Sequence, residues 1–171
     1  MQSRRGVAKV VARLLRSQVQ CVLATVSPTD NSPSTHLMAY GFERTLRQVY
    51  FATGRHTRKD KNMRAHPAVS ILWDDRTGNL GDHRSGTLAT ANGAAQALAD
   101  GSLGAEVARD LILASNPNMT SFVTDESTSM FVVTVQEWGV VEGYGSMRLW
   151  NPQEDQDNEA VDEDRPRTGR L

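Results

Sequence analysis

One cysteine, Cys21, is all the chain has, so no disulfide can close within it, which fits a reducing compartment. No apolar run approaches the roughly 20 residues that span a bilayer, and no membrane-crossing helix is expected. The four histidines, His36, His56, His66 and His83, lie far apart, and no two have the spacing of a metal site. A G-x-S-x-G elbow and a paired Cys-His grouping are both missing, which leaves covalent catalysis without a nucleophile motif. Internal repeats are missing too. At 171 residues the chain is long enough for one domain with a real core and too short for two comfortable ones. Apolar residues make up 39% and charged residues 23%, ordinary values for a globular protein.

Net charge is also nearly lacking, at −1, but its distribution is uneven. Residues 151–171, "NPQEDQDNEAVDEDRPRTGRL", hold seven acidic and three basic side chains and little to bury, and read as an acidic, disordered tail. Residues 1–150 form the expected domain. Its first segment, 1–19, is Arg-rich and acid-free. Val7, Val10, Val11, Leu14 and Leu15 lie on one helical stripe, so a helix capped near Ser3 is expected. Such a segment also has the composition of a mitochondrial transit peptide. A strand begins at once at Gln20 with no spacer, so a cytoplasmic location is the first expectation and a mitochondrial one the alternative.

Strand-like runs follow: "QCVLATVS", then "STHLMAYGF" after the turn "PTDNSP", then "QVYFAT" after "ERTLR". The short turns predict an antiparallel meander. "TRKDKNMRAH" is helical in composition and Pro67 stops it. "AVSILW" is a fourth strand covered on both faces, and "DDRTGNLGDHRSG" a long loop. "TLATANGAAQAL" is a fifth strand in which Gly93 marks a bulge or close approach. In "SLGAEVARDLILAS" the spacing predicts a helix capped at Ser102 with Leu103, Val107 and Leu111 inward. "SMFVVTVQEWGVVEGYG" closes the domain as a long strand or hairpin, with "GYGS" its turn. The sum is α+β: an antiparallel Greek-key barrel of about six strands with flanking helices.

Six basic or imidazole side chains crowd between Arg55 and Arg64, between two apolar strands. Thr57 stands where a helix begins, and Asp60, three residues on, completes a capping box with Asp in place of Glu. The free N–H groups of residues 58–60 and the positive helix end then lie at the end of "VYFAT". Arg58 adds a bidentate fork, Lys59 a point charge, and Thr53 and Thr57 hydroxyl donors. These are the parts of a phosphate cradle. A solvated helix face and a nucleic-acid surface are the other readings of the same charges, though no aromatics interleave for the latter.

The run Thr53-x₃-Thr57-Arg58-Lys59, followed by Asn62-Met63 and His66-Pro67-x-Val69-Ser70, resembles the pyridoxamine 5′-phosphate oxidase-like, FMN-binding split-barrel superfamily. "VLATVSPTDNSPSTHLMAYGF" is similar to its first hairpin and "TLATANGAAQAL" to a later strand. The resemblance implies a homodimer with FMN at the dimer interface. Thr53, Thr57, Arg58 and Lys59 would hold the phosphate. The strand from His36 through Leu37 and Met38 to Tyr40 would run beside the isoalloxazine ring, and Trp138 and Arg148 would approach from the partner. Related members bind the deazaflavin F420 or haem. Where the oxidases carry Arg-Leu-His, this chain has Arg148-Leu149-Trp150, which implies a flavin-dependent oxidoreductase that oxidises pyridoxamine phosphate poorly. A non-catalytic FMN, F420 or haem carrier and a nucleic-acid binder are the rival classes.

Overall fold

The computed structural model describes residues 4–154; the expected Ser3 cap and the acidic tail beyond 154 lie outside them. In chain order, helix α1 (Arg4–Ser17) leads into strands β1 (Cys21–Val26), β2 (Pro33–Met38), β3 (Gly41–Phe42) and β4 (Gln48–Gly54). Helix α2 (Arg58–Ala65), β5 (Ala68–Asp74), the short α3 (Asp82–Ser85), β6 (Thr87–Ala97) and α4 (Leu103–Ser115) follow. The chain closes with α5 (Thr120–Val123), β7 (Thr128–Glu142) and β8 (Arg148–Trp150). All pairings are antiparallel, in the order β2-β1-β5-β6-β7-β4-β3, with β8 added to β7, so eight strands rather than six form one curled sheet. The fold is an α+β split barrel.

The expected meander from β1 to β4 does not form. β1 and β2 pair as a hairpin, but β4 pairs with β7 and β3, at the far side of the sheet. Two contacts redirect the chain. The Tyr40 hydroxyl lies 2.7 Å from the carbonyl of Leu15 and 2.9 Å from that of Gln18, anchoring the break to the end of α1. Gly41 then slips under α4, where a Cβ would stand 2.6 Å from the backbone of Leu111 and Ile112. Sequence periodicity carries neither contact.

The core lies inside the curl. Val7, Ala8, Val11, Ala12, Leu14 and Leu15 of α1 are buried in it, while Arg13 and Arg16 face solvent, as the helical stripe demands. Trp73 packs between Tyr40 (ring centroids 5.5 Å, edge-on) and Trp138 (5.3 Å), and Cys21 is core as well. Burial pushes the Cys21 thiol far above its ordinary value, so it is inert as a nucleophile. β6 bulges between Asn92 and Gly93, and a Cβ on Gly93 would stand 2.3 Å from the Thr134 carbonyl oxygen, so bulge and close approach coincide.

A second apolar cluster covers the other face of β4 and β7 with α4. The Ser102 hydroxyl caps α4 by accepting from the Ala105 N–H at 3.2 Å. Its inward residues are Ala105, Ala108 and Ile112, however, with Leu111 only partly buried, and Leu103 and Val107 are 75% and 39% exposed. Small side chains let α4 lie close to the sheet, so the larger residues of the expected stripe turn outward. The domain also runs past residue 150: Arg47 Nε donates to the Pro152 carbonyl at 3.1 Å, and Gln153 Nε2 to that of Val135 at 3.0 Å.

Gly41→Ala is expected to lower unfolding free energy by about 1–3 kcal/mol, the cost of overpacking a filled site. Urea denaturation checks it, and an unchanged midpoint would show that α4 does not pin this turn.

Candidate phosphate-binding site

The turn from Gly54 to Thr57 links the end of β4 to the start of α2. His56 holds a left-handed φ of 64° there, a conformation uncommon for residues other than glycine. Thr57 is the N-cap, its hydroxyl accepting from the Asp60 N–H at 3.4 Å, and Asp60 Oδ2 accepts from the His56 N–H at 3.1 Å. Half of the expected capping box is therefore present: Thr57 caps the helix, but Asp60 reaches one residue further back, to His56, while the Thr57 N–H donates to the Gly54 carbonyl at 3.4 Å. At the other end His66 leaves the helix in an extended conformation before Pro67.

Asp60 is 3% exposed, and its second oxygen accepts from Arg64 Nε at 3.1 Å. The same guanidinium donates to Ser129 Oγ at 3.1 Å and stands 5.4 Å above the Phe131 ring. One helical turn is thereby tied to β7. Thr53 and Thr57 point their hydroxyls at each other, 3.1 Å apart. The backbone N–H groups of Arg58 and Lys59 have no acceptor among the described residues. Two amides, two hydroxyls and two cationic side chains thus share the positive end of α2.

This donor set fits a phosphate: it offers several N–H and O–H groups and positive charge, and the Asp60 carboxylate beside it is engaged by His56 and Arg64. Beside it, Arg58, Lys61 and Asn62 face Ser27, Ser32 and Ser34 across a cleft of about 410 Å³. Asp30, in the β1–β2 turn on this cleft, is held down at about 2 by hydrogen bonds from Ser32 and Ser27.

The expected ring-side strand is β2, and its residues divide. His36 is half-buried and faces α2; Leu37 is 66% exposed on the opposite face; Met38 is 5% exposed. Met38, two residues from His36 and so on the same face, packs into the core, and its side chain is not available as a cofactor contact. Trp138 is corrected likewise. It is fully buried, stacked near Trp73, and its indole N–H donates to the Leu46 carbonyl at 2.9 Å, so it cannot reach a ligand from either subunit. Arg148 sits on β8 and pairs with Glu142. Thr53 is opposite Ser129 on β7, and Trp150 opposite Trp138, so β8 lies about 30 Å along β7 from the cradle at roughly 3.3 Å per residue. Within one subunit Arg148 and the cradle are not brought together.

Sequence reasoning missed two buried polar residues. Thr25 of β1 is 1% exposed and Asn62 of α2 is 2% exposed, with Asn62 Nδ2 donating to Thr25 Oγ1 at 2.9 Å and Thr25 Oγ1 3.2 Å from His36 Nε2. A polar residue on the inward face of an apolar strand was the available signal for Thr25. Burial, with Lys59 and Arg58 adding to it, holds the His36 imidazole below its ordinary value of 6.5. Among the described residues no helix is long and apolar enough to cross a membrane, and no three His, Cys, Asp or Glu side chains gather as a metal site.

The chain is an antiparallel split barrel with a cluster of N–H, O–H and cationic groups at the end of its fourth strand. The family model of pyridoxamine 5′-phosphate oxidase matches residues 7–142, and the chain belongs to that family. No curated protein matches it in sequence. Among solved structures it is similar to a haem-binding protein from Mycobacterium smegmatis (TM-score 0.73, 20% identity, 90% of this chain and 60% of that one). The chain therefore spans about 60% of the length of that relative. It is also similar to general stress protein 26 of Bacillus anthracis (0.64, 16%, 85% and 98%) and to HutZ, the haem storage protein of Vibrio cholerae (0.64, 12%, 77% and 91%). At these identities the likeness concerns the fold.

Stability is expected to depend on pH through His36. Its folded-state value is depressed, so the unfolded chain takes up the proton first as the pH falls. The stability linked to it is present in full above the unfolded value of 6.5 and is lost as the pH falls from there through the lower folded value. Chemical denaturation of wild type and His36→Gln between pH 5 and 8 checks this, and parallel profiles would refute it.

Proposed function

We propose that this protein binds FMN, with its phosphate in the cradle of Thr53, Thr57, Arg58 and Lys59, and that it is a flavin-dependent oxidoreductase. The observation that carries this reading is the convergence of two amides, two mutually bonded hydroxyls and two cations at the start of α2. Bound there, the flavin would supply hydride or electron transfer, while the protein supplies position and electrostatics. F420 carries a phosphate too and would use the same donors. Haem carriage without catalysis is the second reading, favoured by the fold shared with two proteins described as binding or storing haem. Against it, haem has no phosphate to occupy the cradle. Trp150 is 4% exposed, so the Arg-Leu-Trp segment presents no imidazole-like group to a second phosphate. Efficient oxidation of pyridoxamine phosphate is therefore not part of the proposal.

The proposal includes a homodimer. β2 and β3 end the sheet with open edges, and Leu37, Leu103 and Val107 expose apolar surface beside them or on α4. A two-fold pairing would cover such surface and could bring Arg148 of one copy near the cradle of the other.

An absorption spectrum of the purified protein separates flavin, F420 and haem. Arg58→Ala is expected to weaken FMN by about 1.5–3 kcal/mol, the value of a charge-assisted bond, and riboflavin should bind wild type far more weakly than FMN. Fluorescence titration showing equal affinities for the two would remove the phosphate from the cradle. Turnover with NAD(P)H and a dye acceptor distinguishes an enzyme from a carrier.

Light scattering is expected to give about twice the chain mass of 18.8 kDa. A flavin-loaded monomer would place the whole site within one subunit.

A further inference from the structure

Three polar side chains are threaded through the apolar wall between α2 and the β1–β2 hairpin: Asn62, Thr25 and His36. The first two are almost fully buried, and the third is half-buried beside the cradle. Their order fixes where the protons lie. Asn62 Nδ2 can only donate, so it occupies one lone pair of Thr25 Oγ1 at 2.9 Å. The Thr25 hydroxyl then has one proton to place, and its one remaining hydrogen-bond partner among the described residues is His36 Nε2 at 3.2 Å. If Nε2 carried a proton instead, the Thr25 proton would be a buried donor without an acceptor, at the cost such groups bear. A bare Nε2 requires that the neutral ring carry its proton on Nδ1, which has no partner among the described residues.

We propose that the Asn62–Thr25–His36 chain is a one-way hydrogen-bond relay that holds His36 neutral and presents its Nδ1–H as a fixed donor beside the phosphate cradle. His36 is thus a specificity-determining residue for the uncharged part of the ligand. It favours a ring carbonyl or ring nitrogen that accepts a hydrogen bond. It disfavours a group that must itself donate, or an iron that needs a free imidazole lone pair, because neither ring nitrogen has one to give. The charged side chains acting on the imidazole are Lys59 and Arg58 of α2, both cationic, and they oppose a positive ring in the same sense as its burial does. This deepens the proposed function and rests on it only for the identity of the ligand; the relay itself belongs to the protein alone.

The ligand-free protein, with uniform ¹⁵N labelling, tests the relay. The ring resonances of His36, identified by their loss in His36→Gln, are expected to show the Nδ1–H tautomer at pH 7.5. Asn62→Asp replaces the donor by an acceptor, so Thr25 should turn its proton to the new carboxylate and accept from the ring. The tautomer should reverse to Nε2–H and the ring should titrate above 6.5, the reference from which wild type is lowered. An Nε2–H ring in wild type overturns the relay, as does an unreversed tautomer in folded Asn62→Asp; should that variant not fold, the wild-type tautomer decides alone. The ligand arm uses FMN and riboflavin. His36→Leu should weaken both by the same factor, about fivefold to tenfold for one hydrogen bond, whereas Arg58→Ala acts on FMN alone. Unchanged affinity in His36→Leu overturns the donor role. Failure of wild type to bind either flavin rejects the proposed function and leaves the tautomer result standing.

Discussion

The buried carboxylate of Asp60 is the joint on which the candidate site depends. One oxygen holds the His56 amide and so fixes the left-handed turn that ends β4; the other holds Arg64. Arg64 continues to Ser129 and Phe131, so the start of α2 is tied to the first residues of β7. A charge taken this far out of water is tolerated only with its partners in place. The arrangement has a further effect: the Arg64 charge offsets that of Asp60 within the same helix.

The sheet sets the distances. β7 is 15 residues long and pairs with β4, β6 and β8 at successive positions, so it carries the cradle at one end and the Arg148 hairpin at the other. This separation is why one subunit cannot assemble every residue that the family resemblance gathered. Trp138 lies between those ends, and its position on the inward face commits it to packing against Trp73. An aromatic residue in a strand reads the same in sequence whether it faces core, solvent or ligand. The pleat decides, and a single bulge at Asn92/Gly93 shifts the pairing register along β6.

Much was legible beforehand because it is local. The apolar stripe of α1, the Thr57 and Ser102 caps and the stop at Pro67 each depend on residues within a few positions of one another. The grouping of donors and cations from Thr53 to Asp60 was legible for the same reason, since those residues are consecutive. The stripe on α4 misled because size and burial parted company: Ala105 and Ala108 pack inward where Leu103 and Val107 were expected. Met38 misled because contact with a ligand was inferred for a whole strand, whereas the face it shares with His36 runs on from α2 into the core.

The sequence by itself determined the class of fold, the positions of α1, α2 and α4 and the cluster of donors and cations at the start of α2, since these rest on periodicity, capping and consecutive charge. Only the tertiary structure decided the strand order, because the departure of β3 from the first hairpin is set by Tyr40 reaching α1 and Gly41 lying against α4, contacts 22 to 71 residues apart in the chain. It alone also brought Thr25, His36 and Asn62 together. Their hydrogen bonds join β1, β2 and α2, 11 and 37 residues apart, and a polar atom's partner at that separation is chosen by packing, not by pattern.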